Sequence, residues 1–255
     1  MPVAADLYYH IYEGGQVGQK PPVILLHGAG GTHLYWPSDV RRLAGYRIYA
    51  LDLPGHGKSG GCGQQSIAAY AGSIIDWLDA LGLHSAVFVG HSMGSAIALA
   101  LALDFPERVL GVSLVSSGAR LKVNPALLEI AANEAAFQTV VELVVSWSFG
   151  ASAPAQLLDL AARRMAETRP AVLYGDFQAC NLFDVTTRLG EIQAPTLVIC
   201  GSDDRMTPLR YAQYLADHIP GARLAAVPGA GHMVMLEQPQ AVAVALSEFL
   251  AGISY

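Results

Sequence analysis

Val87-Phe88-Val89-Gly90-His91-Ser92-Met93-Gly94-Ser95-Ala96 begins as an apolar run, stops at a glycine and reaches a serine two residues on. A second glycine precedes Ile97-Ala98-Leu99-Ala100-Leu101-Ala102-Leu103. The pattern predicts a strand, a tight turn and a helix, with G-x-S-x-G at the turn. A serine at such a corner occupies a strained backbone position. Its neighbours two before and two after must lack side chains so that strand and helix can approach. The hydroxyl then stands clear of the sheet, with a helix N-terminus directly beneath it.

Outward from this stretch, other short apolar runs predict strands. Leu7–Tyr12 is β-prone and closes at Gly14-Gly15, while Val23–Leu26 is continuously apolar, as in parallel sheets buried on both faces. Tyr46–Leu51, Val109–Val115, Thr196–Cys200 and Arg223–Val227 complete the set. A helix is predicted from Ser66 to Leu81, with Ile67, Tyr70, Ile74, Trp77, Leu78 and Leu81 on one stripe. Further helices are expected over Leu209–Ile219 and Gln238–Leu250. Between Ala119 and Glu191 no strand run occurs, and helical periods cover Pro125–Phe137, Thr139–Trp147, Ala155–Glu167 and Ala171–Phe177. Alternating strands and helices argue an α/β fold, a mainly parallel sheet with helices on both faces. Residues 1–118 and 191–255 form its core. Residues 119–190 form a helical cap, inserted before the penultimate strands over the sheet edge where such folds bind ligands.

Composition narrows the function. The 255 residues are 53% hydrophobic and 14% charged, enough for one large core. Fifteen Lys and Arg against 21 Asp and Glu give a net charge of −6, which supplies no phosphate-neutralising patch and speaks against nucleic acid or an anionic membrane as partner. Cys62, Cys180 and Cys200 are widely separated and lack metal-ligand spacing, so no metal is expected. The N-terminus has no signal-peptide pattern and no apolar stretch is long enough for a membrane span, so a cytoplasmic location is expected.

Three further loops, each after a predicted strand, carry chemistry. His27-Gly28-Ala29-Gly30-Gly31 is a glycine-rich turn through which backbone could approach a substrate, and it matches neither phosphate-binding glycine pattern. Gly201-Ser202-Asp203-Asp204-Arg205-Met206-Thr207-Pro208 offers two acids, either of which could orient an imidazole. Pro228-Gly229-Ala230-Gly231-His232 places a histidine where a general base needs exposure. With the G-x-S-x-G corner, the chain resembles the α/β-hydrolase superfamily, in its serine carboxylesterase and monoacylglycerol lipase-like branch, from Val23 to Pro239.

The resemblance implies a catalytic triad of Ser92, Asp204 and His232, in the superfamily's chain order. Asp204 is favoured over Asp203 by its register between the glycine and the proline. The backbone N–H groups of Ala29 and Met93 would form an oxyanion hole. His91 is expected to pack beneath the corner. Ser95 stands where many relatives have glycine, a change expected to affect packing. Gly28, Trp147, Phe149 and Tyr174 are candidate substrate-binding residues, and an apolar cap would favour an uncharged acyl chain or alcohol. The expected activity is cofactor-free hydrolysis of small-molecule carboxylic esters of small to medium acyl chain through an acyl-enzyme. Lactones, thioesters or a C–C bond on the same triad are the alternatives, as is a ligand-binding receptor with slow turnover.

Overall fold

The computed structural model describes residues 2–15 and 20–255. Eight strands make one sheet: β1 (Val3–Ala4), β2 (Leu7–Glu13), β3 (Val23–Leu26), β4 (Arg47–Leu51), β5 (Ala86–His91), β6 (Val109–Val115), β7 (Thr196–Gly201) and β8 (Arg223–Val227). Their spatial order is β1-β2-β4-β3-β5-β6-β7-β8. The β1–β2 and β2–β4 pairings are antiparallel; every other pairing is parallel.

Helices α1 (Ser38–Arg41), α2 (Ile67–Ala80) and α3 (Met93–Asp104) precede β6. Between β6 and β7 lie α4 (Pro125–Ala131), α5 (Phe137–Ser148), α6 (Ala155–Met165) and α7 (Pro170–Leu182). The chain ends through α8 (Leu209–His218), α9 (Val234–Glu237) and α10 (Pro239–Ala251).

The period of two within the strands divides the core. Ile24 and Leu26 of β3 pack on one face with Ile74 and Trp77 of α2 and Ile97 of α3. Val23 and Leu25 turn to the other face, against Val242 and Leu246 of α10. Strands β3, β5 and β7 are buried at every position, which is why they read as unbroken apolar runs. Helix α2 begins where Ser66 accepts a hydrogen bond from the Ala69 N–H at 3.2 Å. Its stripe is buried from Ile67 to Leu78, while Leu81 is only half-buried beyond the helix end.

The helical segment departs from the expected boundaries. The period over Pro125–Phe137 is broken because the Asn133 side chain accepts from the Ala135 N–H at 3.1 Å and starts a separate short turn. The expected helix at Ala171–Phe177 instead runs Pro170–Leu182, since no glycine or proline stops it after Phe177.

Ser95 ties the central elements together. Its buried hydroxyl donates to the Gly90 carbonyl at 2.6 Å and accepts the Val115 N–H at 3.0 Å, joining α3 to the ends of β5 and β6. The serine in place of glycine thus has a structural task. Ser95→Ala leaves buried backbone groups without that partner, so urea unfolding should show a loss of about 1–3 kcal/mol. An unchanged midpoint and slope would refute it.

Candidate active site

Ser92 sits between β5 and α3 with φ 51° and ψ −114°, a strained conformation for a residue with a side chain. The flanking glycines make the corner feasible. A Cβ on Gly90 would lie 2.2 Å from the Gly94 carbonyl oxygen, and one on Gly94 would lie 2.2 Å from that of Leu26. The Ser92 N–H donates to Val115 at 2.9 Å, anchoring the corner to β6.

The loop after β3 reaches the same place. A Cβ on Gly28 would approach His91 Nδ1 to 2.9 Å and Ser92 Cβ to 3.2 Å, so only glycine lets this turn lie against the corner. His27 braces it: Nδ1–H donates to the Gly28 carbonyl at 2.8 Å and Nε2 accepts the Leu53 N–H at 3.0 Å. That pattern needs a neutral ring. Burial, together with the charge of His56, lowers its pKa to about 4. Among the described residues, neither the Ala29 nor the Met93 N–H is paired with a protein acceptor. His91 is buried beneath the corner, with a pKa lowered by burial to about 3, and its Nε2–H donates to the His232 carbonyl at 3.0 Å.

Asp204 and His232 meet at the ends of β7 and β8. Gly201 permits this, because a Cβ there would lie 2.1 Å from the Ala230 carbonyl oxygen. His232 Nδ1 is 2.9 Å from Asp204 Oδ2 and 3.2 Å from the Thr207 hydroxyl, which itself donates to Asp204 Oδ2 at 2.8 Å. Asp204 Oδ1 accepts the N–H groups of Met206 at 2.9 Å and Thr207 at 2.8 Å. Burial alone would raise the Asp204 pKa; His232 and the Thr207 donors outweigh it and lower the pKa, keeping the carboxylate charged. Asp203 is exposed: its N–H donates to the Ala230 carbonyl at 2.9 Å, but its carboxylate accepts from its neighbour Ser202 and takes no part in the pairing with His232.

Glu237, seen in sequence only as part of the chain after the histidine loop, bridges that loop to the helical segment. Its two oxygens accept the N–H groups of Gly150 and Gly231, each at 2.9 Å.

Ser92, His232 and Ala29 share a cavity of about 400 Å³ with Leu127, Trp147 and Phe177. Trp147, a candidate substrate-binding residue, is on the cavity wall. Phe149 and Tyr174 are not on its wall. Phe149 is buried where the chain leaves α5, its backbone within 2.7 Å of a Cβ built on Gly231, and so supports the histidine loop. Tyr174 lies one turn before Phe177 on α7, half-buried. Gly28 does not line the cavity and lies against His91 and Ser92 instead. Two features were unexpected: Arg120, Lys122 and Arg205 line this cavity, and Cys180 faces it from α7. Among the described residues, no group of three His, Cys, Asp or Glu side chains could hold a metal ion, and no helix is long and apolar enough to cross a membrane.

A second cluster escaped the sequence reading altogether. Asp176, fully buried on α7, accepts from the Gly30 N–H at 2.9 Å, from His56 Nε2–H at 2.8 Å and from the Tyr70 hydroxyl at 2.6 Å. His56 also donates Nδ1–H to the Pro54 carbonyl at 3.0 Å, so both ring nitrogens carry protons. Burial favours the neutral ring, but the facing Asp176 carboxylate prevails and raises the His56 pKa above the ordinary 6.5. A raised folded-state pKa gives stability that is complete below 6.5 and is lost as pH rises through the folded value. Breaking the pair with Asp176→Asn should cost about 3–5 kcal/mol at pH 6, and the gap to wild type should narrow as the pH is raised. Urea unfolding from pH 6 to 9 measures it, and a pH-independent gap would count against the ion pair.

Known proteins place the fold. The family model for the alpha/beta hydrolase fold matches residues 21–239. A protein of Caulobacter sp. (strain K31) assigned as the carbamate hydrolase RutD is 31% identical over 267 residues, covering 97% of each chain. The 2-hydroxy-6-oxo-6-phenylhexa-2,4-dienoate hydrolase of Burkholderia cepacia is 32% identical, over 92% of this chain and 89% of its own. The crystal structure of the enol-lactonase from Burkholderia xenovorans LB400 superposes with a TM-score of 0.90 at 25% identity, covering 98% of this chain and all of that one. With the eight-stranded sheet and the glycine-flanked serine corner, these matches show that the chain belongs to the α/β-hydrolase fold family.

Proposed function

We propose that this hydrolase cleaves carboxylic esters through a covalent acyl-enzyme on Ser92. The observation that carries the reading is the Asp204–His232 contact of 2.9 Å, made at Nδ1 of a histidine that shares a cavity with Ser92. Asp204 and Thr207 hold the tautomer with hydrogen on Nδ1, leaving the Nε2 lone pair for the serine proton. His232 takes that proton as Ser92 Oγ attacks the ester carbonyl. The Ala29 and Met93 N–H groups, unpaired within the protein, receive the developing oxyanion, helped by the N-terminus of α3. His232 then passes its proton to the departing alcohol. It next takes one from water, the resulting hydroxide attacks the acyl carbon, and His232 returns the proton to Ser92 Oγ as the acid leaves.

A cyclic ester presents the same carbonyl and would open by the same steps. The enol-lactonase likeness favours lactones as a second substrate form.

Hydrolysis of p-nitrophenyl butyrate tests the reading. Ser92→Ala should abolish turnover with the circular dichroism spectrum unchanged, and Asp204→Asn should lower kcat by about 10³–10⁴-fold by favouring the wrong tautomer. Undiminished turnover in the folded Ser92→Ala protein would sink the mechanism.

A further inference from the structure

Beside the catalytic cavity lies a second, of about 490 Å³, which shares Arg120, Lys122 and Tyr211 with the first and adds Arg210. Four of the chain's 15 Lys and Arg residues thus line two adjoining cavities. Among the described residues no Asp or Glu lines either one. In a chain of net charge −6 this is a local reversal of sign. Low-dielectric walls concentrate such a field and draw in an ion of opposite charge.

The cations are only partly neutralised. Arg120 lies 3.9 Å from Asp184, a loose and exposed contact. Lys122 Nζ donates to the Asn181 carbonyl at 2.8 Å, a neutral acceptor, and shares the field of the single carboxylate Asp184 with Arg120. Arg205 is exposed and makes no ion pair or side-chain hydrogen bond among the described residues. Its neighbour Asp204 is buried and already engaged by Thr207 and His232.

The rest of the wall sets the form of the ligand. Leu127, Trp147 and Phe177 are apolar and lie in the same cavity as Ser92. A substrate seated there would meet the nucleophile with its carbonyl, the apolar wall with a short hydrocarbon and the cations with an anion. We infer that the preferred substrate is an ester whose acyl chain ends in a free carboxylate, held by Arg120, Lys122 and Arg205. This deepens the ester-hydrolase reading and rests on it. It also replaces the uncharged acyl group that an apolar cap suggested.

Monoethyl adipate and ethyl hexanoate carry the same six-carbon acyl chain and differ by the terminal carboxylate. Their kcat/KM ratio, followed by pH-stat titration, isolates the charge. At low ionic strength the ratio should be about tenfold in favour of the monoester, as expected for contacts to partly exposed cations, and should fall as sodium chloride is added. In the triple variant Arg120→Gln, Lys122→Gln, Arg205→Gln it should fall towards one. A wild-type ratio at or below one, or a ratio the triple variant leaves unaltered, overturns the assignment. If neither ester is cleaved, the ester-hydrolase reading fails and calorimetric titration of adipate still decides the subsite. Salt-sensitive binding that the triple variant lacks upholds it; no binding to the wild type overturns it.

Discussion

Two backbone approaches of the same size govern this molecule: Gly90 against the Gly94 carbonyl, and Gly94 against that of Leu26. Any side chain at either position would force β5, α3 and the end of β3 apart. Because both are glycines, Ser92 can hold a φ of 51° at the corner, a conformation that costs about 1–3 kcal/mol. The surroundings leave it little alternative. Its own N–H is bonded to β6, and the next residue but two, Ser95, is bonded to β5 and β6 together. The corner therefore shares one cavity with the loops after β3, β7 and β8, and it starts helix α3.

The helices between β6 and β7 act as more than a roof. Asp176 of α7 holds the Gly30 N–H, one residue beyond Ala29, and Glu237 clamps Gly150 to the loop that carries His232. The Met233 N–H also donates to the Ser148 carbonyl at the end of α5. Both loops that would stabilise charge during acyl transfer are thus braced by hydrogen bonds to this segment. A buried His–Asp pair is an expensive way to make such a brace, since both ions lose their hydration. Three donors converging on one carboxylate offset that loss and fix the direction of the Gly30 N–H.

The sheet was legible because its information is local. Buried parallel strands leave continuous apolar runs, and the glycine-rich turn and the serine follow β3 and β5 directly, while the late histidine follows the partly buried edge strand β8. The start of α2 near Ser66 and the stripe of that helix were legible for the same reason. Asp176 was not: its partners lie 106, 120 and 146 residues away in the chain, and nothing near it in sequence marks it as other than a polar residue on a helix. Aromatic residues gave an equally weak signal. Trp147 and Phe149 are two residues apart at the end of α5, yet one lines the cavity and the other packs against Gly231. Helical spacing tells that a face exists, and only the docking of the helix tells what the face meets.

Charge shows the same division. The net charge of −6 is a sum over the whole chain. A small ligand samples only the field where it binds, and there Arg120, Lys122 and Arg205 come from two chain segments more than 80 residues apart, closed over one hollow. Arg205 is next to Asp204 in sequence, but their surroundings separate them: Asp204 is buried and turned to His232, and Arg205 stays exposed on the cavity wall. One loop can therefore serve two purposes. Under the proposed function its buried acid would orient His232, and its exposed cation would bear on which molecule reaches Ser92.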